Sequence, residues 1–481
     1  MGNSIDPPEP RPPAVVKHDL SGSVIDIEER NGRMIHRVTE NGLTAEFPID
    51  YQIGDGLAGF SYLVRMGDYV FESPASWYNN HGWDVSPGFG KLPGLDFSRG
   101  INVDCLFCHT GATKFADPDG RKLASAKLGA ITCERCHGPT ENHLRKPVPG
   151  SIVNPAKLTG TKRDSICAQC HLEGEARIPN PGKVVTDFHA GQELSDVLAI
   201  YVDSAAEANF NVVNHFEELG ESQCARKSGG RLWCGTCHDP HGEPRDRVAQ
   251  MRAVCTGCHA SLSKAAHPSA ELNCIGCHMP RSAASDVPHT AITDHRILRR
   301  PESSPITPGA PPQSLTPWTP PPAAFRDRDL ALAEIAVGYQ KHAFDLLQSG
   351  VSLLEKCGAA AGGTDPMAAS GLGSMFLVQG RAQEAVELNR KAAEERPDSA
   401  DYAFNLAIAL HGVGDLEGTE RELKRAIDLN PSLEQPYITL FTLYSQQGRR
   451  EDALATLDRY LKWNPQSIKF REQKAKVTGT N

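Results

Sequence analysis

Two cysteines two residues apart, with a histidine fused to the second, recur six times: CLFCH at 105–109, CERCH at 133–137, CAQCH at 167–171, CGTCH at 234–238, CTGCH at 255–259 and CIGCH at 274–278. Twelve of the fourteen cysteines fall in this pattern, leaving Cys224 and Cys357. Cys-x-x-Cys-His is the attachment signature of c-type haem. The thiol pairs are Cys105 and Cys108, Cys133 and Cys136, Cys167 and Cys170, Cys234 and Cys237, Cys255 and Cys258, and Cys274 and Cys277. Each pair forms thioethers to the two haem vinyl groups. The adjoining imidazoles, His109, His137, His171, His238, His259 and His278, meet the iron from the proximal side. Zinc fits worse, because it needs two such pairs per ion and gives no reason for a histidine after every second cysteine. A disulfide framework suits small secreted chains better than this one. The pattern implies six covalent haems.

Sixteen of the eighteen histidines precede residue 296, and ten of these lie outside the motifs. His143, His241, His267, His289 and His295 stand close to attachment sites. A histidine so near its own haem's tether is placed to ligate a neighbouring iron, since the far face of the same haem is hard to reach. His189 and His215 occupy the long gap between the third and fourth motifs, and His36 and His81 complete the distal candidates, with His18 left over. Methionine is the usual rival and raises the potential. Besides Met1, only Met34, Met66, Met251 and Met279 lie in this half, and Met279 directly follows His278. Bis-histidine ligation with low potentials is the economical reading. Cys224 is either a thiolate ligand or a buried thiol, the commoner fate of a spare cysteine. Cys357 is read as inert.

The elements that hold these residues fall into four segments. Residues 1–98 read as a small β-rich segment: SGSVIDIEERNGRMIHRV alternates about Asn31-Gly32, a two-residue hairpin signal, and TENGLTAEFPIDYQI repeats the theme. Residues 99–300 carry the motifs, whose starts are 28, 34, 67, 21 and 19 residues apart. So little chain per cofactor leaves the porphyrins as much of the core, joined by short helices and loops in a mostly α or irregular cytochrome domain. Residues 301–325 read as a stiff linker, with nine prolines between 301 and 322. Residues 326–481 repeat every 34: Gly380, Gly414 and Gly448 are in phase, as are Pro397, Pro431 and Pro465 and, between them, Ala385, Thr419 and Ala453. This is the tetratricopeptide (TPR) period, an all-α solenoid of paired helices. An ordinary helical hairpin bundle would not keep Gly and Pro in step. LALAEIAVGYQKHAFDLLQSGVSLLEKCG upstream reads as a degenerate extra helix pair. Such arrays bind segments of other proteins. The fold class is therefore multidomain.

At 481 residues the chain is too long for one core. It contains no run of eighteen apolar residues that would mark a membrane span. A net charge of −9 without a basic patch argues against nucleic acid. MGNSIDPPEPRPPAVVKH lacks the apolar stretch of a signal peptide, as expected for a mature chain with a new start or a cytosolic protein.

SPGFG before CLFCH, CERCHGPTENH, IVNPAKL, CAQCH, SQC before CGTCHDPHG, and CIGCHMP followed by TDHRI give the haem half a further meaning. Over most of residues 50–300 the chain resembles multihaem c-type cytochromes related to the hydroxylamine-linked tetrahaem carriers, here bearing C-terminal TPR repeats. The resemblance implies a periplasmic or extracellular electron-transfer protein exported before haem attachment. One departure is IGDGLAGFSYL at 53–63, where the resemblance would place a histidine near the second glycine. One iron would then be open or use another residue.

Three functions compete. The first is an electron carrier that docks redox partners through its repeats. The second is an enzyme acting on a small nitrogen or sulfur compound at one open haem; every motif is CxxCH, which weighs against it, while the gap at 172–233 offers room for a pocket. The third is a subunit of a haem wire, in which oligomers stack. Electron transfer is the expectation, with redox partner proteins and a peptide or protein ligand for the repeats.

Overall fold

The computed structural model describes residues 3–5, 8–54, 56–111, 113–204, 211–242, 246–260, 273–299, 311–361 and 365–479. Two compact units emerge, one of residues 132–323 with 340–343, the other of residues 2–131 with 324–339 and 344–481. The division at 131/132 separates the first motif, which lies with the strands and the repeats, from the other five.

In the second of these units the strands Ala14–Lys17, Val24–Arg30, Arg33–Glu40 and Leu43–Pro48 form an antiparallel meander. Its tight turns are Asn31-Gly32 and Asn41-Gly42, all four residues at positive φ between 50° and 76°. That conformation suits the twist of a two-residue hairpin, and Asn and Gly adopt it readily. Alternation continues further than the sequence pattern indicated. Strands Tyr51–Gly54, Gly59–Met66, Tyr69–Glu72, Ala75–Tyr78 and Gly82–Val85 join Asn3–Ile5 in a six-stranded sheet.

The first motif sits on the helix Val103–His109, whose Asn102 side chain accepts the backbone N–H groups of Asp104 and Cys105. Leu106, fully buried, plugs this helix into a core of Tyr51, Ile53, Leu63 and Val70.

Nine helices, from Arg326–Gln340 to Ile468–Thr478, make the C-terminal array among the described residues. Gly380, Gly414 and Gly448 take φ of 77°, 79° and 70° at the turns inside successive repeats, the left-handed geometry that ends a helix. The upstream stretch forms the first two of these, Arg326–Gln340 and Phe344–Ala361.

The array grips the β-sheet unit at two of its inter-repeat turns. At one, Asp119 accepts from the Ser399 hydroxyl at 2.7 Å and the Ala400 N–H at 3.0 Å, and Arg121 pairs with both carboxylate oxygens of Asp401 at 2.8 Å. At the other, Glu46 N–H donates to the Gln466 amide at 2.7 Å, Trp463 packs against Tyr69 and Phe71 with ring centres 6.2 and 5.8 Å apart, and Ile468 enters the sheet core. Truncating Ile468 to alanine is expected to cost about 2–5 kcal/mol, the range for a buried large-to-small change. Chemical denaturation followed by circular dichroism would show it as a lowered midpoint.

The unit of residues 132–323 is built differently. Its sheet pairs Ala176–Pro179 with Leu198–Asp203, and Leu198–Asp203 with Leu315–Pro317. The end of the expected proline-rich linker is thus a strand: Trp318 N–H donates to the Ile200 carbonyl and its ring meets Phe216. Prolines tolerate such an edge position because it needs few ladder donors. Around this sheet lie short helices, five of which, among the described residues, carry all or part of a motif. Between 211 and 299 the buried apolar side chains among the described residues are Phe216, Met251 and Ile292. Three such side chains do not make a core for some eighty residues.

Candidate functional site

A cysteine pair at i and i+3 lies on one face of a helix, with the histidine at i+4 beside it. The helices Gly160–His171 and Cys274–His278 contain the whole of motifs three and six, while in motifs two, four and five Cys133, His238 and His259 are the residues flanking Glu134–His137, Cys234–Cys237 and Arg247–Cys258. Asn273 and Asp246 cap two of them.

An axial histidine must offer one ring nitrogen to the metal and have the other fixed. His137 Nδ1 lies 2.7 Å from the Val153 carbonyl, and His278 Nδ1 lies 2.7 Å from the Leu298 carbonyl. A carbonyl only accepts, so each Nδ1 carries the proton and Nε2 keeps its lone pair for iron. His295 Nδ1 makes the same bond to the Thr293 carbonyl at 2.8 Å. His143 Nδ1 meets the Ser151 hydroxyl at 2.8 Å, and His241 Nδ1 meets the Asp239 carboxylate at 3.1 Å.

The distances between rings test whether a haem fits. With metal–imidazole bonds of about 2 Å on each side, two axial rings should stand roughly 6 Å apart, centre to centre. His137 and His241 are 5.9 Å apart and inclined by 25°. His171 and His215 are 5.9 Å apart at 80°, and His238 and His295 are 6.2 Å apart at 26°. In each case a proximal histidine of a motif faces a histidine from elsewhere in the chain, at the span of a bis-imidazole iron. The residues fit the group.

His215 is held neutral, its pKa lowered to about 3 by burial and by the neighbouring His295, His171 and His238. A neutral imidazole is the form that binds metal.

The attachment cysteines also approach one another. The side chains of Cys167 and Cys234, the first cysteines of motifs three and four, are in contact, and that contact together with burial pushes the Cys167 thiol up. Burial and the adjoining Cys274 push Cys255 up to about 11.

Other expected ligands are placed differently. His36, an expected distal candidate, is a core residue of the β-sheet unit: its Nδ1 is 2.7 Å from the Ser73 hydroxyl, its Nε2 is 3.3 Å from the Met34 sulfur, and its ring meets Tyr62 and Trp83 edge-on. A fully enclosed ring with both nitrogens engaged is not available to iron. His18, buried against Ser21 and the Gly90 carbonyl, closes a turn. His81 lies exposed 3.6 Å from Asp84. His189 is exposed beside Gln192, and His289 sits at φ 55° in the turn between Arg281–Ala283 and Ala291–Thr293. His267 lies outside the described residues. Cys224 opens the helix Gln223–Lys227, its backbone N–H held by the Ser222 hydroxyl.

Sequence reasoning missed Glu218, buried one helical turn after His215, and the carbonyls of Val153 and Leu298. For the carboxylate the i+3 spacing from His215 is the signal. Backbone acceptors leave no trace in residue type.

The described helices include none long and apolar enough to cross a membrane. Residues 226–264 match the family model for the doubled CXXCH motif, and residues 410–477 match one for the tetratricopeptide repeat. The multiheme cytochrome MtrA of Shewanella baltica is 22% identical over 177 residues, 32% of this chain and 52% of that protein. A TPR repeat-containing protein of Pseudomonas aeruginosa is 34% identical over 128 residues, 27% of this chain and 49% of that protein. The chain thus spans about half the length of these curated relatives. Among solved structures, MamA aligns with 28% of this chain and 77% of its own at 27% identity and a TM-score of 0.25. MamA from Desulfovibrio magneticus aligns with 30% and 77% at 17% identity and a TM-score of 0.26. The CXXCH motifs and the similarity to a multiheme cytochrome mark a chain that carries covalently bound haem c, and the repeats mark a protein-interaction module.

Proposed function

We propose that the chain is a hexahaem c-type cytochrome that passes electrons along closely packed, bis-histidine-ligated haems. The observation that carries this reading is the set of three imidazole pairs, each joining a proximal histidine to a second histidine 5.9–6.2 Å away. Bound haem supplies reversible one-electron chemistry. The chain's residues do the rest. Cysteine pairs would hold each haem, and the facing imidazoles His137–His241, His171–His215 and His238–His295 would leave no coordination position there for a small molecule. Backbone carbonyls orient His137, His278 and His295 and raise their basicity, which favours low potentials. The first motif is tied by Leu106 to the sheets, and the repeats brace those sheets as well as offering a docking module.

The resemblance to hydroxylamine-linked tetrahaem carriers and the similarity to a multiheme cytochrome support a periplasmic or extracellular site of action. Haem propionates would add to the net charge of −9, so partners with basic faces are expected.

Low-temperature electron paramagnetic resonance of the oxidised, haem-loaded chain tests the reading. Six low-spin ferric irons are expected. Substituting His241→Ala should convert one iron to high spin while leaving the haem count unchanged by intact mass. A high-spin iron in the unmodified chain would overturn the carrier in favour of an open, reactive site, with nitrite, hydroxylamine, sulfur oxyanions and peroxide as the first substrates to screen.

A further inference from the structure

We infer that the imidazoles of His215 and His295, the latter held in place by Glu218, form a direct bridge between the third and fourth attachment sites and make those two sites a coupled redox pair. This rests on the ligand pairs proposed above, in which His215 serves the site of Cys167 and Cys170 and His295 serves that of Cys234 and Cys237.

The rings of His215 and His295 meet each other. Their centres are 4.6 Å apart and their planes 89° apart, an edge-to-face contact. The same two sites meet again through the adjoining side chains of Cys167 and Cys234. The two sites thus approach each other both at their attachment points and at their ligands. Electron tunnelling falls steeply with distance, so exchange across such a junction outpaces transfer across a gap filled by ordinary side chains.

One short helix makes the junction. His215–Glu221 begins with the ligand and carries Glu218 a turn later on the same face. Glu218 is wholly buried. Its Oε2 accepts the backbone N–H of His295 at 2.7 Å and lies 3.6 Å from His295 Nδ1. Its Oε1 and the Nδ1 of His215 are both buried with no hydrogen-bond partner among the described residues. An enclosed carboxylate with one oxygen unsatisfied is costly, and such groups persist where they have work to do. Here the helix that supplies one site's ligand also fixes the next site's ligand. Glu218 is a positioning residue: it sets where His295 stands against His215.

The test uses the haem-loaded full chain. In the fully oxidised protein two of the low-spin signals should be broadened together by magnetic coupling, and reducing one partner during a redox titration should sharpen the other. Glu218→Ala should weaken this coupling while leaving the other signals in place. Glu218→Gln, whose amide oxygen still accepts the His295 N–H, should retain it. A spectrum equal to a sum of independent irons at every potential overturns the bridge, and this measurement on the unmodified chain needs no variant to fold. Coupling unchanged in Glu218→Ala overturns the role of Glu218. His215→Met and His295→Met separate this failure from that of the ligand assignment. If each converts a different single iron to histidine–methionine ligation but no coupling is found, the bridge alone fails; if neither alters any iron, the assignment beneath it fails.

Discussion

A chain in which Cys167 and Cys170 are both alanine is expected to carry one haem fewer by intact mass and to lose the fold of residues 132–299, while the β-sheet unit stays intact. The reason lies in how the two units bury apolar surface. The β-sheet unit encloses Ile25, Val38, Tyr62, Val64, Phe89 and Leu95 at 1% exposure or less, a conventional core. The other unit has its small sheet and then, from 211 to 299, Phe216, Met251 and Ile292. A porphyrin is a large apolar plate, and at about 25 cal/mol per Å² its enclosure replaces what many side chains would otherwise contribute. On the ligand pairs proposed above, removing the third haem would also leave the buried His215 without a metal, and the substitution takes away the thiol beside Cys234. Limited proteolysis with mass mapping checks this. Cuts should multiply between 132 and 299 and remain rare in the strands between 14 and 85. Equal resistance in both units would show that residues 132–299 have a core of their own.

Acid should loosen the β-sheet unit through a single side chain. Burial holds the His36 pKa down to about 3, against 6.5 in an open chain. Above 6.5 neither state is protonated, and the full stability is present. As pH falls from 6.5 toward 3 the unfolded chain takes up a proton that the folded chain refuses, so stability is lost across that window. The slope approaches about 1.4 kcal/mol per pH unit, and the loss amounts to on the order of 4–5 kcal/mol at its acid end. The double substitution His36→Phe with Ser73→Ala removes the titrating ring and the hydroxyl it bonds. Protection factors for amide hydrogen exchange in Val24–Arg30 and Arg33–Glu40 should fall between pH 7 and pH 4 far more in the parent chain than in the variant. An equal fall in both would assign the acid response to other groups.

The same residue shows what sequence could and could not reveal. Met34, His36 and Val38 alternate along one strand, and all three are buried. The period of two already placed His36 on the core face, yet its value as a potential ligand outweighed the pattern. Features written in local spacing were legible: thiol pairs at i and i+3, Asn-Gly hairpins, and glycines every 34 residues that end helices. Leu315–Pro317 was obscured because proline content pointed to an open linker, whereas three residues sufficed for a sheet edge. The histidines were legible as candidate ligands, but which of them face one another was not. His137 meets His241, and His238 meets His295, across long stretches of chain. No periodicity carries such a contact; only the folded path does.

The two turns by which the repeats hold the sheets, at Pro397–Asp401 and Pro465–Ile468, are equivalent positions of the motif two repeats apart. Most solenoids gain or lose units freely during evolution because each repeat touches only its neighbours. Here the array works as a caliper whose jaws are set by repeat number. Duplicating or deleting one unit would move one jaw off its seat, so this lineage of repeats is expected to vary in surface residues and not in count.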